Sequence, residues 1–291
     1  MSHAVRENRE YIKDLETRLR AARALSPRVE AEMLVTHFTR MDRLDLFTGN
    51  KRINPSARRS IEHALTFRRK GIPLAQVTGH ASFYGRTFQV TKDTLIPRPE
   101  TEVLVEEALK RLKEISTGKT AQVLDVGTGS GCIGLSLALE SPACRVTALD
   151  TSPKALAVAR KNAASFGLRE RVQLVQSRLF EIFGTEKVAF WDLMVSNPPY
   201  VATDDWEGLS REVRSEPRLA LDGGKDGLSV IEKILAEAPV FLKPGGWLLV
   251  EIGKGQSAAL SKHLKNNKEF ENLHFIKDLN WIDRVLVVQR R

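Results

Sequence analysis

The run Val123-Leu124-Asp125-Val126-Gly127-Thr128-Gly129-Ser130-Gly131-Cys132-Ile133-Gly134 does more than any other segment to narrow the folds open to this chain. It reads as a buried strand, a glycine-rich turn and the start of a helix. Glycines permit positive φ and let a ligand come close to backbone amides that point at it. A second apolar run, Val146-Thr147-Ala148-Leu149, ends in Asp150, 19 residues after Gly131. A carboxylate at that place can take both hydroxyls of a ribose. The two features together predict a nucleoside site at the carboxyl edge of a sheet. Gly129 to Gly134 fits the G-x-G-x-x-G pattern of dinucleotide-binding dehydrogenases, a short and common match. Asp125 argues against a pyrophosphate, which it would repel, and is placed to hold a cationic amino group.

The rest of the chain supplies the sheet. Val172-Gln173-Leu174-Val175, Leu193-Met194-Val195 and Trp247-Leu248-Leu249-Val250 are further short apolar runs separated by helical stretches. Such runs imply a parallel sheet covered on both faces. Leu273 to Lys277 and Val285 to Val288 lie too close together for an intervening helix, so an antiparallel pair is expected to end the sheet. Helices are expected over Thr101–Ile115 and over Ser152–Phe166, the latter with Ser152 as cap, Pro153 in the first turn and Gly167 beyond its end. The fold class is therefore α/β, a Rossmann-like and mostly parallel sheet.

The first part of the chain is different. Three helices are expected, over Glu10–Ala24, from Ser26-Pro27 to Phe38, and over Pro55–Lys70, stopped by Gly71-Ile72-Pro73. Phe83-Tyr84-Gly85-Arg86-Thr87-Phe88-Gln89-Val90 alternates around a glycine like a β-hairpin. The expected organisation is a small all-α domain over residues 1–75, a β-hairpin linker over 76–92 and the α/β domain over 93–291. Residues 1–80 hold 16 Lys and Arg against 9 Asp and Glu, so most of the formal net charge of +9 lies there. That excess is either a platform for an acidic or RNA-bearing partner or an ordinary solvated helical surface. With 42% hydrophobic and 28% charged residues the chain is globular in composition. Two cysteines without a CxxC pair offer neither a disulfide framework nor a metal site. No apolar run reaches the ~18 residues a membrane helix needs, and the charged N-terminus lacks a signal-peptide pattern, so a cytoplasmic protein is expected.

Ser196-Asn197-Pro198-Pro199-Tyr200 follows directly on the fourth strand of the sheet. Two consecutive prolines fix the backbone and remove two N–H donors, leaving carbonyls free to accept. Asn197 adds a side-chain carbonyl and Tyr200 an aromatic face. A planar –NH₂ group could donate to Asn197 and to the Pro198 carbonyl while stacking on Tyr200.

The spacing Asp-x-Gly-x-Gly-x-Gly from Asp125 to Gly131 resembles the glycine loop of class I S-adenosylmethionine methyltransferases, and the antiparallel strand pair at the end matches their fold. Asn197-Pro198-Pro199-Tyr200 is shared by members acting on planar amino groups, including DNA adenine, RNA guanine and protein glutamine enzymes. Further segments are similar to one branch, the release factor glutamine methyltransferases (HemK/PrmC family). They are Pro73-Leu74-Ala75 with Thr78-Gly79, Phe83-Tyr84-Gly85, Thr94 to Glu102, Glu216-Pro217 with Ala220 to Gly224, and Glu251-Ile252-Gly253.

That resemblance implies methyl transfer from S-adenosylmethionine to the glutamine amide in the Gly-Gly-Gln loop of peptide chain release factors, leaving S-adenosylhomocysteine. Residue by residue, it implies a donor held along Gly127, Thr128, Gly129, Ser130 and Gly131, with Asp150 at the ribose and Leu179 at the adenine. Asn197 would lie between donor and acceptor, and Asn197, Pro198, Pro199 and Tyr200 would clamp the glutamine amide. Ser177-Arg178-Leu179-Phe180 departs from relatives that carry an acidic residue and then Trp there, so Leu179 would pack the adenine without stacking. The helical domain would dock the protein substrate. The enzyme would work as a monomer, with no metal and no membrane, and direct nucleic-acid binding would not be required. The alternative is a methyltransferase acting on nucleic-acid amino groups, favoured by the same tetrad and by the basic N-terminal region.

Overall fold

The computed structural model describes residues 3–49, 51–115, 118–184 and 188–291. The chain divides into two compact units. One holds the residues up to Gly79 together with Ser210–Ser215; the other holds His80–Leu209 and Glu216–Arg291.

In the first unit, α1 (His3–Ala21) buries Ile12, Leu15 and Leu19 as the spacing predicts. It starts at His3 rather than Glu10, because buried Ala4, Val5 and Asn8 carry the stripe backward. α2 (Pro27–Thr39) has Pro27 in its first turn, but the Ser26 side chain makes no cap hydrogen bond. α3 (Arg43–Thr48) was not legible as an element; Asp42 caps it, accepting from the Asp45 amide at 2.6 Å. α4 (Pro55–Arg69) is capped by Asn54, which accepts from the Ala57 amide at 2.8 Å. Its core residues are Ile61, Ala64 and Leu65, whereas Phe67 falls off that stripe and is exposed. α5 (Leu74–Thr78) is a second short helix that the sequence did not announce.

Arg68 of α4 is the largest polar group in this core. Its guanidinium donates to both oxygens of Glu30 at 2.8 and 3.0 Å, to the Ile72 carbonyl at 2.6 Å and to Glu212 at 2.8 Å. Glu212 lies on α9 (Arg211–Arg214), which belongs to this unit although far along the chain.

The second unit opens with a hairpin of β1 (His80–Phe83) and β2 (Arg86–Gln89), in register from His80–Gln89 to Phe83–Arg86. The turn residues Tyr84 and Gly85 have φ of 48° and 70°, both positive as a two-residue type I′ turn requires. Then come α6 (Glu102–Ile115), β3 (Ala121–Val126), α7 (Cys132–Glu140), β4 (Cys144–Asp150), α8 (Pro153–Ser165), β5 (Val172–Gln176) and β6 (Trp191–Ser196). α10 (Ser229–Phe241), β7 (Leu242–Glu251), α11 (Ser257–Leu264), β8 (Phe270–Lys277) and β9 (Asp283–Arg290) complete it.

The sheet order is β5-β4-β3-β6-β7-β9-β8. Pairing is parallel as far as β7, and β9 runs antiparallel to both β7 and β8. The expected parallel sheet with an antiparallel end is thus what forms. Both faces of the central strands are buried, and side chains alternate between them as the pleat demands. Val123, Val285 and Val287 enter the core on one face with α6 and α7; Leu124, Leu286 and Val288 enter the other with α10 and α11. Buried Asn162 of α8 binds the hairpin to this unit: it donates to the Gln89 and Ser130 carbonyls at 3.0 and 2.8 Å and accepts from the Gln89 amide at 2.8 Å.

Candidate active site

The turn after β3 depends on its glycines, since Gly127, Gly129 and Gly131 have φ of 77°, 57° and 84°. Four of the amides from Gly127 to Gly131 are already engaged, contrary to expectation. Gly127 and Thr128 both donate to the Leu149 carbonyl, Gly131 to the Thr128 carbonyl, and Gly129 to Asp150 Oδ2 at 2.8 Å. A pyrophosphate would need those N–H groups, so the loop is not built as a phosphate cradle. A side chain added at Gly127 or Gly129 would meet no atom within 4 Å, which leaves open space along the loop.

Asp125 is fully buried. Its Oδ2 accepts from the Thr128 hydroxyl at 2.6 Å and the Gly134 amide at 3.0 Å, while Oδ1 has no partner. Burial pushes its carboxyl up to about 6, against the pull of those two hydrogen bonds. Asp125 therefore braces the loop from beneath and does not line the cavity. Its bonds to Thr128 and Gly134 place its carboxylate under the glycine loop and the start of α7.

A cavity of about 320 Å³ lies over the carboxyl edge of the sheet, within the size range of small-molecule sites. Gly127, Thr128, Gly129, Ser130, Asp150 and Leu179 line it, as do Asn197, Pro198 and Pro199. Gly131 and Tyr200 do not. Asp150 sits at the end of β4, its two oxygens accepting from the Gly129 and Ser152 amides at 2.8 Å each, and burial raises its pKa. Leu179 reaches the cavity from a left-handed backbone, φ 47°. Arg178 lines it too, and Pro97 contributes from the Ile96-Pro97-Arg98 segment. That segment is held by buried Glu216, which accepts from the Ile96 amide at 2.8 Å and pairs with Arg98.

The acceptor tetrad leaves β6 at Ser196, whose hydroxyl donates to the Val126 carbonyl at 2.7 Å and so fixes it beside the glycine loop. Asn197 Nδ2 donates to the Thr101 hydroxyl at 3.1 Å. Its Oδ1 is buried without a partner. The side-chain carbonyl is thereby left as an unused acceptor, and a buried acceptor without a donor is costly. Tyr200 lies half-buried against the core, its hydroxyl donating to Glu251 Oε1 at 3.2 Å. The backbone behind the tetrad is packed closely, since a Cβ at Gly223 would stand 2.6 Å from the Pro199 carbonyl oxygen.

Thr101 and Glu251 carried no assigned role in the sequence reading. Glu251 ends an apolar strand at the carboxyl edge, the same signal that singled out Asp150. Burial pushes Glu251 up to about 7, opposed by the Thr101 hydroxyl, nearby Arg284 and Tyr200. The folded state thus holds a proton that the unfolded chain releases near 4.5. Stability is accordingly full below that value and falls as pH rises toward 7, by on the order of 3 kcal/mol. Urea titrations at pH 5 and pH 7.5 are expected to show a clearly larger loss in the parent than in Glu251→Gln, the remainder coming from Asp125 and Asp150, whose pKa values burial raises as well; an equal loss in both would exclude Glu251 as a source.

Among the described residues no group of His, Cys, Asp and Glu could hold a metal ion, and no helix is long and apolar enough to cross a membrane. The chain matches the family models for the PrmC N-terminal domain over residues 10–79 and the methyltransferase small domain over residues 101–212. It is 42% identical over 261 residues to the release factor glutamine methyltransferase of Geobacter sulfurreducens, covering 89% of this chain and 88% of that one. The enzyme of the same name from Moorella thermoacetica is 40% identical over 275 residues, 94% of this chain and 95% of that one. A solved methyltransferase from Pyrococcus furiosus shares the fold, with a TM-score of 0.50 at 19% identity over 81% of this chain and 98% of its own. The chain belongs to the release factor glutamine methyltransferases.

Proposed function

We propose that this enzyme transfers the methyl group of S-adenosylmethionine to the side-chain amide nitrogen of the glutamine in the Gly-Gly-Gln loop of peptide chain release factors. The observation that carries the reading is Asn197, with its Nδ2 engaged by Thr101 and its Oδ1 unpartnered at the cavity. An amide –NH₂ is the donor such a carbonyl lacks.

The residues present fit the donor. The open faces of Gly127 and Gly129 would lie along its methionine part, Asp150 would take the ribose hydroxyls and Leu179 would pack the adenine. When bound, S-adenosylmethionine supplies an electrophilic methyl group on a sulfonium sulfur. The protein's contribution is positional. An amide nitrogen is a poor nucleophile because its lone pair is delocalised into the carbonyl. Asn197 Oδ1 and the Pro198 carbonyl would accept its two N–H groups, draw the nitrogen toward pyramidal geometry and aim the lone pair. Positive charge develops on that nitrogen during transfer, and the same two carbonyl dipoles favour it. The nitrogen sheds its proton once alkylated, so no strong base has to act beforehand.

The helical region, residues 1–75 with the turn at Ser210–Ser215, would dock the protein acceptor. Val29 and Met33 lie four residues apart on one exposed side of α2, and exposed Leu25 lies just before its start. Arg23 and Arg40 flank them with no acidic partner among the described residues. Such a face suits an acidic surface with an apolar groove.

The test is transfer of labelled methyl to a purified release factor, beside a factor whose Gly-Gly-Gln glutamine is replaced, with donor binding measured in parallel. Label on the intact factor alone is the expected result. Donor bound with neither factor labelled would overturn the reading and direct the assay to RNA and DNA. In the same assay, serine at Leu25, Val29 and Met33 is expected to raise the KM for the intact factor, and an unchanged KM would remove the docking role.

A further inference from the structure

The hairpin tip between β8 and β9 holds two apolar side chains in solvent: Leu279 is 96% exposed and Trp281 81%. Trp281 also has a φ of 60°, a left-handed conformation that bulky residues adopt only under constraint. The constraint is visible. Asp278 Oδ1 accepts from the Asn280 and Ile282 amides at 2.8 and 3.1 Å, and Oδ2 accepts from Arg284 Nε and Nη2 at 3.2 and 3.1 Å. The Trp281 amide donates to the Asp278 carbonyl at 2.9 Å. Folding gains nothing from an indole held rigidly in water on an unfavourable backbone, whereas a binding surface does.

The place of the tip is informative. Because β9 runs antiparallel to β7, the tip lies at the edge where β7 ends in Glu251, and Val285 is the Cα partner of Glu251. Trp281 is four residues before Val285, so it stands within about 14 Å of that pair at the rise of an extended strand. Glu251 is the residue that takes the Tyr200 hydroxyl. Arg284, between tip and pair, donates to the Ile252 carbonyl at 3.2 Å, so the tip is tied to this edge.

We propose that Leu279 and Trp281 are an apolar anchor for the protein acceptor, gripping its surface beside the glutamine-bearing loop. This rests on the reading that a protein glutamine enters at Asn197. A folded partner that delivers a glutamine there covers the same edge of the sheet, and the glycines flanking the glutamine offer little to hold. A rigid aromatic side chain supplies contact at small entropic cost. The partner surface that fits is an apolar patch or pocket next to the loop.

The test is the double variant Leu279→Ser/Trp281→Gly. Glycine suits the left-handed position, so the fold is retained and the melting temperature is expected to be unchanged or higher. The KM for the intact release factor is expected to rise about tenfold or more, as for loss of an aromatic hot spot, with kcat and donor affinity unchanged. An unchanged KM would overturn the proposal. So would wild-type self-association that the variant loses while its KM stays the same, since the tip would then serve a second copy of the chain. Failure of the underlying reading shows differently, as a wild-type enzyme that leaves the factor unlabelled, and it removes both.

Discussion

Asn197→Ala is expected to cut turnover on the true acceptor by about 10²-fold or more, the usual cost of removing one preorganised polar partner of a transition state. That is roughly 2.7 kcal/mol of barrier. Donor affinity should change far less, because the donor's main contacts would be with the glycine loop, Asp150 and Leu179. The orientation of the amide makes a finer point. Nδ2 is held by the Thr101 hydroxyl at 3.1 Å, and that bond keeps Oδ1 as the free acceptor. Thr101→Val removes the hold without emptying the space, so the amide can flip and present a donor to a donor. A loss of about tenfold is expected there, smaller than for alanine at 197 because only the orientation is lost. Single-turnover transfer and calorimetric donor titration separate the two quantities. Near-full turnover in Asn197→Ala would end the account of the acceptor site given above.

The second large effect is on stability. Arg68 is 2% exposed and satisfies Glu30, Glu212 and the Ile72 carbonyl together. Truncating one member of a buried ionic cluster leaves uncompensated charge, at a cost of about 3–5 kcal/mol. Arg68→Ala is expected at the lower end, near 3 kcal/mol, since Glu212 is 31% exposed and can rehydrate. Hydrogen exchange of the α4 amides reports it: protection should fall by about two orders of magnitude. Adding Glu30→Gln should recover part of the loss by removing the stranded carboxylate. Unchanged protection in the single variant would mean the cluster contributes no net stability.

The α/β architecture was legible because its signals are local. A strand buried on both faces is a continuous apolar run, and a turn of three glycines with an acid at the end of the next strand is readable wherever it occurs. The tetrad Asn197 to Tyr200 was legible for the same reason, since two prolines after a strand announce free carbonyls. What escaped was tertiary. α3 and α5 are too short to show a helical period. Nothing in the neighbourhood of Asn162 says that its amide joins β2 to the glycine loop. Motif spacing marked Asp125 as acidic, but its bonds to Thr128 and Gly134 exist only in the folded loop. Thr101 and Glu251 are separated by most of the second unit in sequence, and their bearing on Asn197 and Tyr200 exists only once the sheet has formed.

The turn at Ser210–Ser215 has a consequence for the order in which the chain can become native as it is made. The first unit is not complete at Gly79; it needs a segment synthesised roughly 130 residues later. At typical elongation rates that is an interval on the order of 10 s. During it α4 presents Arg68 with Glu30 and Ile72 but without Glu212. Most of the sheet's parallel strands emerge while that interval lasts. The N-terminal helices thus wait for a segment made after β3 to β6 but before β7, β8 and β9.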